Sequence, residues 1–225
     1  MADYTKWYVF GRRGLTRTVA IAEKIHRALE RYGIDRSEAY FEAWPLDDEA
    51  AGLGAKPSRL IESTGSLLPV NRPDTLFTAR IPTWLEAPAA MADAWPGCAA
   101  YPVEEAVIID GPSSGICRVV VVTRKPGMTR AEFSQHWRDQ HAPLVLQHGP
   151  LFHRYVQNNV RHDESAIDGI AEQWFADRSR VDEHDRLNAQ EKPEVVCDLR
   201  RFIHRSQQLL TPLLSRVEDS VSDRQ

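Results

Sequence analysis

The feature that most constrains this chain is an order of elements that occurs twice. Lys6 to Phe10 is aromatic and β-branched and predicts a strand. From Thr16 to Tyr32 the apolar residues Ala22, Ile25, Leu29 and Tyr32 recur at three- and four-residue steps, which predicts a helix with one apolar face. Gly33 stands where a C-cap glycine belongs. Glu38 to Trp44 and Asp74 to Pro82 predict strands, Leu85 to Ala94 an alanine-rich helix, and Val103 to Asp110 a further strand. The first half therefore reads β-α-β-β-α-β. Gly111 to Gly115, GPSSG, is a turn-rich joint. Beyond it the same order begins again with the apolar, β-branched run Ile116 to Thr123, which suits a strand buried on both faces. Thr129 and Glu132 form a capping box at the head of a helix. Pro143 has no N–H to give and clashes with the preceding turn, so that helix is expected to end or kink near His141 and Ala142. Leu151 to Val160 and Gly169 to Phe175 predict strands, and Asp177 caps a helix running to about Ala189. Val195 to Phe202 fits either helix or strand, and Ser206 to Leu213 is the candidate closing strand.

Each copy is a split βαβ unit, the ferredoxin-like plan. Such a unit covers one sheet face with its helices and leaves the other face open. The expectation is an α+β protein of two ferredoxin-like halves, residues 1–112 and 113–225. Their open faces would be buried against each other, with room for a cavity between them. Pro45 to Pro73 is a long connection rich in acids, Gly, Pro and Ser. It reads as a solvated excursion or as a lid over a pocket.

Composition narrows the partners. The net charge is −4, and no Lys/Arg stripe interleaved with aromatics stands out, so nucleic acid is not expected. No apolar run approaches the ~20 residues of a membrane span. The start of the chain lacks the apolar core of a signal peptide, so a cytoplasmic location is expected. Cys98, Cys117 and Cys197 are isolated and read as buried free thiols in a reducing compartment. No glycine-rich phosphate loop is present, so no nucleotide cofactor is expected.

A few residues stand out as candidates for chemistry. His141 lies at the edge of the stripe set by Phe133, Trp137 and Leu144, at the expected helix end. The negative end of the helix dipole favours an imidazolium there. It reads either as a proton donor or acceptor, or as a histidine capping the last carbonyls. On one strand His153, Tyr155, Gln157 and Asn159 share a face, and Phe152, Arg154, Val156 and Asn158 share the other. On the next strand Ile170, Glu172 and Trp174 share a face. A carboxylate between Ile and Trp in mid-strand suits a general base, or an ion pair with Arg154 or Arg178. Tyr155 and Asn159 offer hydrogen bonds to a developing oxyanion, with core packing the alternative for Tyr155. His136, His141, His148 and His153 lie close in sequence, but at 3.6 residues per turn His136 and His141 point about 140° apart. No metal site is expected, because no other ligand spacing is present either.

Several segments, in order, carry a family resemblance. They are Lys125-Pro126-Gly127-Met128-Thr129, Phe133, and the run Trp137 to Leu144, WRDQHAPL. Arg154 to Asn158, RYVQN, and Asp168 to Phe175, DGIAEQWF, follow. On these residues the second half, roughly Cys117 to Phe202, resembles the EthD family of the dimeric α+β barrel superfamily. The first half looks like a diverged copy, with Thr78 and Arg80 at the places of Glu172 and Trp174 and nothing like His-Ala-Pro. The resemblance implies chemistry without a cofactor on small, aromatic or polyketide-like molecules: dehydration, decarboxylation, cyclisation or lactone isomerisation. The reading is a lyase or isomerase acting by acid–base chemistry on a hydrophobic carbonyl compound. His141 would be the acid or base and Glu172 its carboxylate counterpart. Tyr155 and Asn159 would position the substrate between Trp137 and Trp174. The alternatives are a non-catalytic small-molecule binder of a degradation pathway and a cofactor-free monooxygenase. The expected partner is a small-molecule substrate, with a homodimer as an open further level.

Overall fold

The computed structural model describes residues 4–11, 18–31, 40–45, 56–57, 75–82, 95–161, 165–190 and 193–211. The N-terminal elements are β1 (Tyr4–Gly11), α1 (Thr18–Glu30), β2 (Tyr40–Pro45), β3 (Lys56–Pro57), β4 (Thr75–Pro82) and β5 (Ala99–Ile109). After β6 (Ile116–Arg124), helix α2 (Arg130–His136) runs through a π-helical stretch (Trp137–His141) into α3 (Ala142–Gln147). Strands β7 (Arg154–Val160) and β8 (Gly169–Phe175), helices α4 (Arg178–Gln190) and α5 (Pro193–Phe202), and β9 (Ile203–Thr211) complete it.

All pairings in the sheet are antiparallel, in the order β2-β4-β1-β5-β7-β8-β6-β9-β3. The order contains two blocks of one pattern. In each, the first strand lies between the third and the fourth and the second strand is outermost, which is the ferredoxin-like arrangement. The blocks meet along β5. Its first residues pair with β1, from Phe10↔Ala99 to Lys6↔Val103, and its later ones with β7, from Val103↔Val160 to Ile109↔Tyr155. This double duty explains why β5 begins at Ala99, earlier than the sequence pattern predicts. At the other end β3, from the connection between β2 and β4, pairs with β9. The result is a curled sheet with an inner face and an outer face.

Alternation sorts side chains between the two faces. The inner face holds a core drawn from both blocks, including Tyr8, Phe10, Tyr101, Val119, Ile170 and Trp174. The outer face of the C-terminal block is covered by helices through Phe133, Trp137, Val145, Phe152, Phe175 and Phe202. Each such large apolar side chain contributes about 1.5–3 kcal/mol on burial. The inner core also contains a polar knot. Lys6 reaches Glu105 and Glu172, and Glu172 accepts from Tyr8 Oη as well. Asn158 Nδ2 donates to Tyr8 Oη at 3.1 Å and to Glu172 at 3.3 Å, and Trp174 Nε1 donates to Glu172 at 3.4 Å. Glu172 is thus paired with Lys6, not with the Arg154 or Arg178 that its sequence neighbourhood suggests.

Several expectations change in detail. Val195 to Phe202 is helical: Val195, Asp198 and Phe202 are its buried stripe. The helix is not stopped by Pro143. It continues to Gln147 because Trp137–His141 adopts π geometry, with Ala142 N–H bonded to the Trp137 carbonyl five residues back. A π turn needs no bond from position 143 to its i−4 carbonyl, so the missing N–H costs little. Only Cys117 is buried; Cys98 is half-buried and Cys197 is exposed, on the outer side of α5. Gly33, the predicted Leu85–Ala94 helix and the Pro45–Pro73 excursion, apart from β3, lie outside the described residues.

Candidate functional site

A cavity of about 80 Å³ lies between the helix layer and the outer sheet face of the C-terminal block. Its floor comes from outward-facing residues of neighbouring strands: Arg118, Val120 and Val122 of β6, Tyr155 of β7, and Ala171 and Gln173 of β8. Its roof is Trp137, His141 and Val145 from the α2–π–α3 helix, with His184 from α4 and Val195 and Leu199 from α5. The sequence pattern leads one to expect a cavity between the two facing sheets; this one lies on the outer face, under the helices.

His141 is 5 % exposed and sits in mid-helix, not at a frayed end. Its Nδ1 lies 2.9 Å from Asp198 Oδ2 of α5, and its ring packs at a tilt against Phe202 with centroids 5.2 Å apart. With Nδ1 committed to Asp198, Nε2 is the nitrogen available to the cavity. A carboxylate on one imidazole nitrogen fixes the tautomer and the orientation of the ring. Asp198 Oδ1 meets His136 Nε2 at 3.0 Å. Burial pushes the Asp198 carboxyl up, but hydrogen bonds and charge from His141 and His136 outweigh that and hold it below its ordinary value. The 140° separation deduced for His136 and His141 is therefore overturned. It assumed 3.6 residues per turn, whereas the π stretch brings positions five apart onto one face, and both rings reach one carboxylate.

Tyr155 is buried beneath this roof. Its hydroxyl accepts from Trp137 Nε1 at 3.0 Å and from Gln157 Nε2 at 3.2 Å, and burial pushes the phenol up to about 12. Asn159 lies on the same face but accepts from Ser134 Oγ at 2.8 Å, against α2 and away from the cavity lining. Glu172 and Trp174 lie on the inner face with Lys6 and Tyr8. The structure thus brings His141, Trp137 and Tyr155 together and puts Glu172 and Trp174 on the other side of the sheet.

Residues 125–205 match the family model of the EthD domain. This stretch of the chain carries an EthD domain. This EthD segment contains His136, Trp137, His141, Tyr155, His184 and Asp198, so most of the cavity belongs to it. Among curated protein sequences none matches the chain. Three solved structures show the fold over nearly the whole length. An anthrone oxidase-like protein aligns with a TM-score of 0.53 at 10% identity, covering 96% of this chain and 92% of that one. A candidate monooxygenase from Lactobacillus acidophilus NCFM gives 0.52 at 9% identity, covering 95% and 96%. A chlorite dismutase variant from Candidatus Nitrospira defluvii gives 0.51 at 12%, covering 97% and 94%.

Two groups of the site, one lining the cavity and one behind His141, were not found from the sequence. Asp198 was hidden in a segment of ambiguous type; once Val195 to Phe202 is helical, it falls on the buried stripe, and that is the signal that marks it. Arg118 lies just outside the EthD match, a charged residue near the start of the apolar run ICRVVVVTR. It is 4 % exposed. Its Nε donates to Gln173 Oε1 at 2.8 Å, Nη1 to Asp185 Oδ1 at 2.5 Å, and the guanidinium stands 5.1 Å from the Phe175 ring centre.

Proposed function

We propose that the EthD half is a proton-transfer enzyme, a lyase or isomerase for small, hydrophobic carbonyl compounds, with His141 as its acid–base group. The observation that carries this reading is the buried His141–Asp198 pair at the roof of an apolar-walled cavity. Asp198 orients the ring and compensates the imidazolium that forms when Nε2 takes a proton. The reacting C–H or O–H would lie against His141, with Trp137 and the aliphatic side chains excluding water. Tyr155 holds the Trp137 indole by its hydroxyl and so supports the wall. Glu172 belongs in this reading to the inner knot that joins the two blocks. His136, on the other oxygen of Asp198, helps keep that carboxylate ionised.

The test is deuterium exchange or turnover with a panel of enolisable ketones, β-keto acids and phenols, followed by NMR in D₂O. His141→Ala is expected to lose about 10²- to 10⁴-fold in rate, the usual contribution of a general acid or base. It also leaves Asp198 short of one partner, so a stability loss of about 1–3 kcal/mol accompanies it. Turnover per folded molecule that survives His141→Ala refutes the assignment. A second reading is favoured by two structural relatives named as a monooxygenase and an anthrone oxidase-like protein. The same base would then deprotonate a phenolic or anthrone-type substrate for reaction with O₂. Oxygen uptake with such a substrate distinguishes this outcome from elimination or isomerisation.

A further inference from the structure

The charges around the cavity are one-sided. The ionisable groups that line it are Arg118, His141, His148, His184 and Tyr155, and among the described residues no carboxylate lines it. Asp198 stands behind His141, and Asp185, the partner of Arg118, is about half exposed at 46 %. Arg118 is the residue that most calls for explanation, because a guanidinium stays protonated even when burial opposes it. Here burial does oppose it, and the attraction of Asp185 does not fully restore its ordinary value. Its bonds to Gln173 and Asp185 use Nε and Nη1 and leave Nη2 without a partner among the described residues. Gln173 and the Phe175 ring fix the plane of the fork on the cavity floor.

We infer that the cavity takes an anionic molecule, a hydrophobic carboxylate, whose carboxyl group is bound by Arg118 while its apolar body lies under Trp137, Val145 and Leu199. With Nε and Nη1 engaged, Nη2 is the nitrogen left to give a carboxylate oxygen a charge-assisted hydrogen bond. Low-dielectric walls concentrate the positive potential of Arg118 on whatever enters. His141 and Arg118 come from roof and floor, so a molecule held by its carboxylate presents another atom to the base. This inference rests on the cavity being the substrate site, and it narrows the substrate class to carbonyl compounds that also carry an acid group.

The experiment is equilibrium binding of matched pairs, benzoate with benzamide and butyrate with butyramide, measured by calorimetry on the full chain. The carboxylate of at least one pair is expected to bind at least about tenfold more tightly than its amide, a preference that weakens with salt. Arg118→Gln is expected to abolish the preference. Should Arg118→Gln fail to fold, the wild-type protein labelled with ¹⁵N-arginine gives the same answer: a guanidinium resonance assigned to Arg118 shifts with benzoate and not with benzamide. The inference is overturned if no carboxylate binds more tightly than its amide, or if the preference survives in folded Arg118→Gln, or if the Arg118 resonance is unmoved by the anion. Binding does not require turnover. An anion-selective but inactive cavity refutes the acid–base reading alone, and turnover of neutral ketones with no preference for anions refutes this inference alone.

Discussion

Replacing Lys6 by Met tests whether the inner polar knot fastens the two blocks together. Lys6 comes from β1, and its ammonium bridges Glu105 of β5 and Glu172 of β8, at 2.8 Å from the latter. The side chains of Lys6, Glu105 and Glu172 are 13%, 21% and 6% exposed, so solvent does little to compensate a lost partner. Removing one member of a buried ion pair costs about 3–5 kcal/mol. Glu172 keeps donors from Tyr8, Asn158 and Trp174, and Glu105 is the most exposed of the three, so the lower end, about 3 kcal/mol, is expected. For a chain of this size that corresponds to a Tm lower by roughly 6–12 °C. The pH dependence adds a second check. Burial alone would lower the Lys6 pKa, but the charges and hydrogen bonds of Glu172 and Glu105 outweigh it and raise the group above its ordinary 10.5. A raised folded-state value means that the contribution is complete below 10.5 and is lost only as the pH climbs through the folded value. The gap between wild type and Lys6→Met should therefore be level from pH 7 to about 10 and close above that. Urea unfolding followed by tryptophan fluorescence measures it. Pairing Lys6→Met with Glu172→Gln in a double-mutant cycle should give less than the sum of the singles. A loss below about 1 kcal/mol at pH 7, or strict additivity, would refute the reasoning.

Two further outcomes follow from the packing around Trp137. A Cβ added at Gly169 would run into Trp137 Cζ3 and Cη2 and approach Val122 Cγ2. Gly169→Ala should thus cost about 1–3 kcal/mol as an overpacked core does, and displace the indole from the cavity wall. Unchanged stability by thermal melt would show that this contact is not tight. Tyr155→Phe leaves the Trp137 indole N–H without its acceptor and should cost about 1–3 kcal/mol at neutral pH. Because burial holds the Tyr155 phenol at about 12, the unfolded chain loses this proton first as pH rises above ~10, and wild-type stability falls there. The variant lacks that contribution, so its urea midpoint should approach that of wild type between pH 10 and 12; a gap that stays constant would count against it.

The two ferredoxin-like blocks were legible in the sequence because their signals are local. Period-2 alternation, the helical stripe of α1, the Thr129–Glu132 capping box and the GPSSG joint each depend on neighbours a few residues away. The EthD motif and the faces of β7 and β8 were legible for the same reason. Alternation told correctly that Glu172 and Trp174 share a face and that Tyr155, Gln157 and Asn159 share one, but it failed for Phe152, which precedes the strand and packs against Tyr155 on the helix side. It carried no information about which face of β8 lies level with which face of β7. That was decided by the pairing Val156↔Glu172, which puts Glu172 beside the inward residues of β7 and leaves Tyr155 on the helix side with Ala171 and Gln173. The partners were hidden for a different reason. His141 and Asp198 lie 57 residues apart, and Lys6 and Glu172 166 apart, and no periodicity links positions so distant. The π stretch was equally illegible, since a proline marks a place where the helix ends or kinks and does not say which hydrogen-bond pattern carries it through. Local chain chemistry thus determined the elements and their repeated order. The tertiary structure alone decided which charges face one another, because electrostatic pairing depends on distance through the fold, not along the chain.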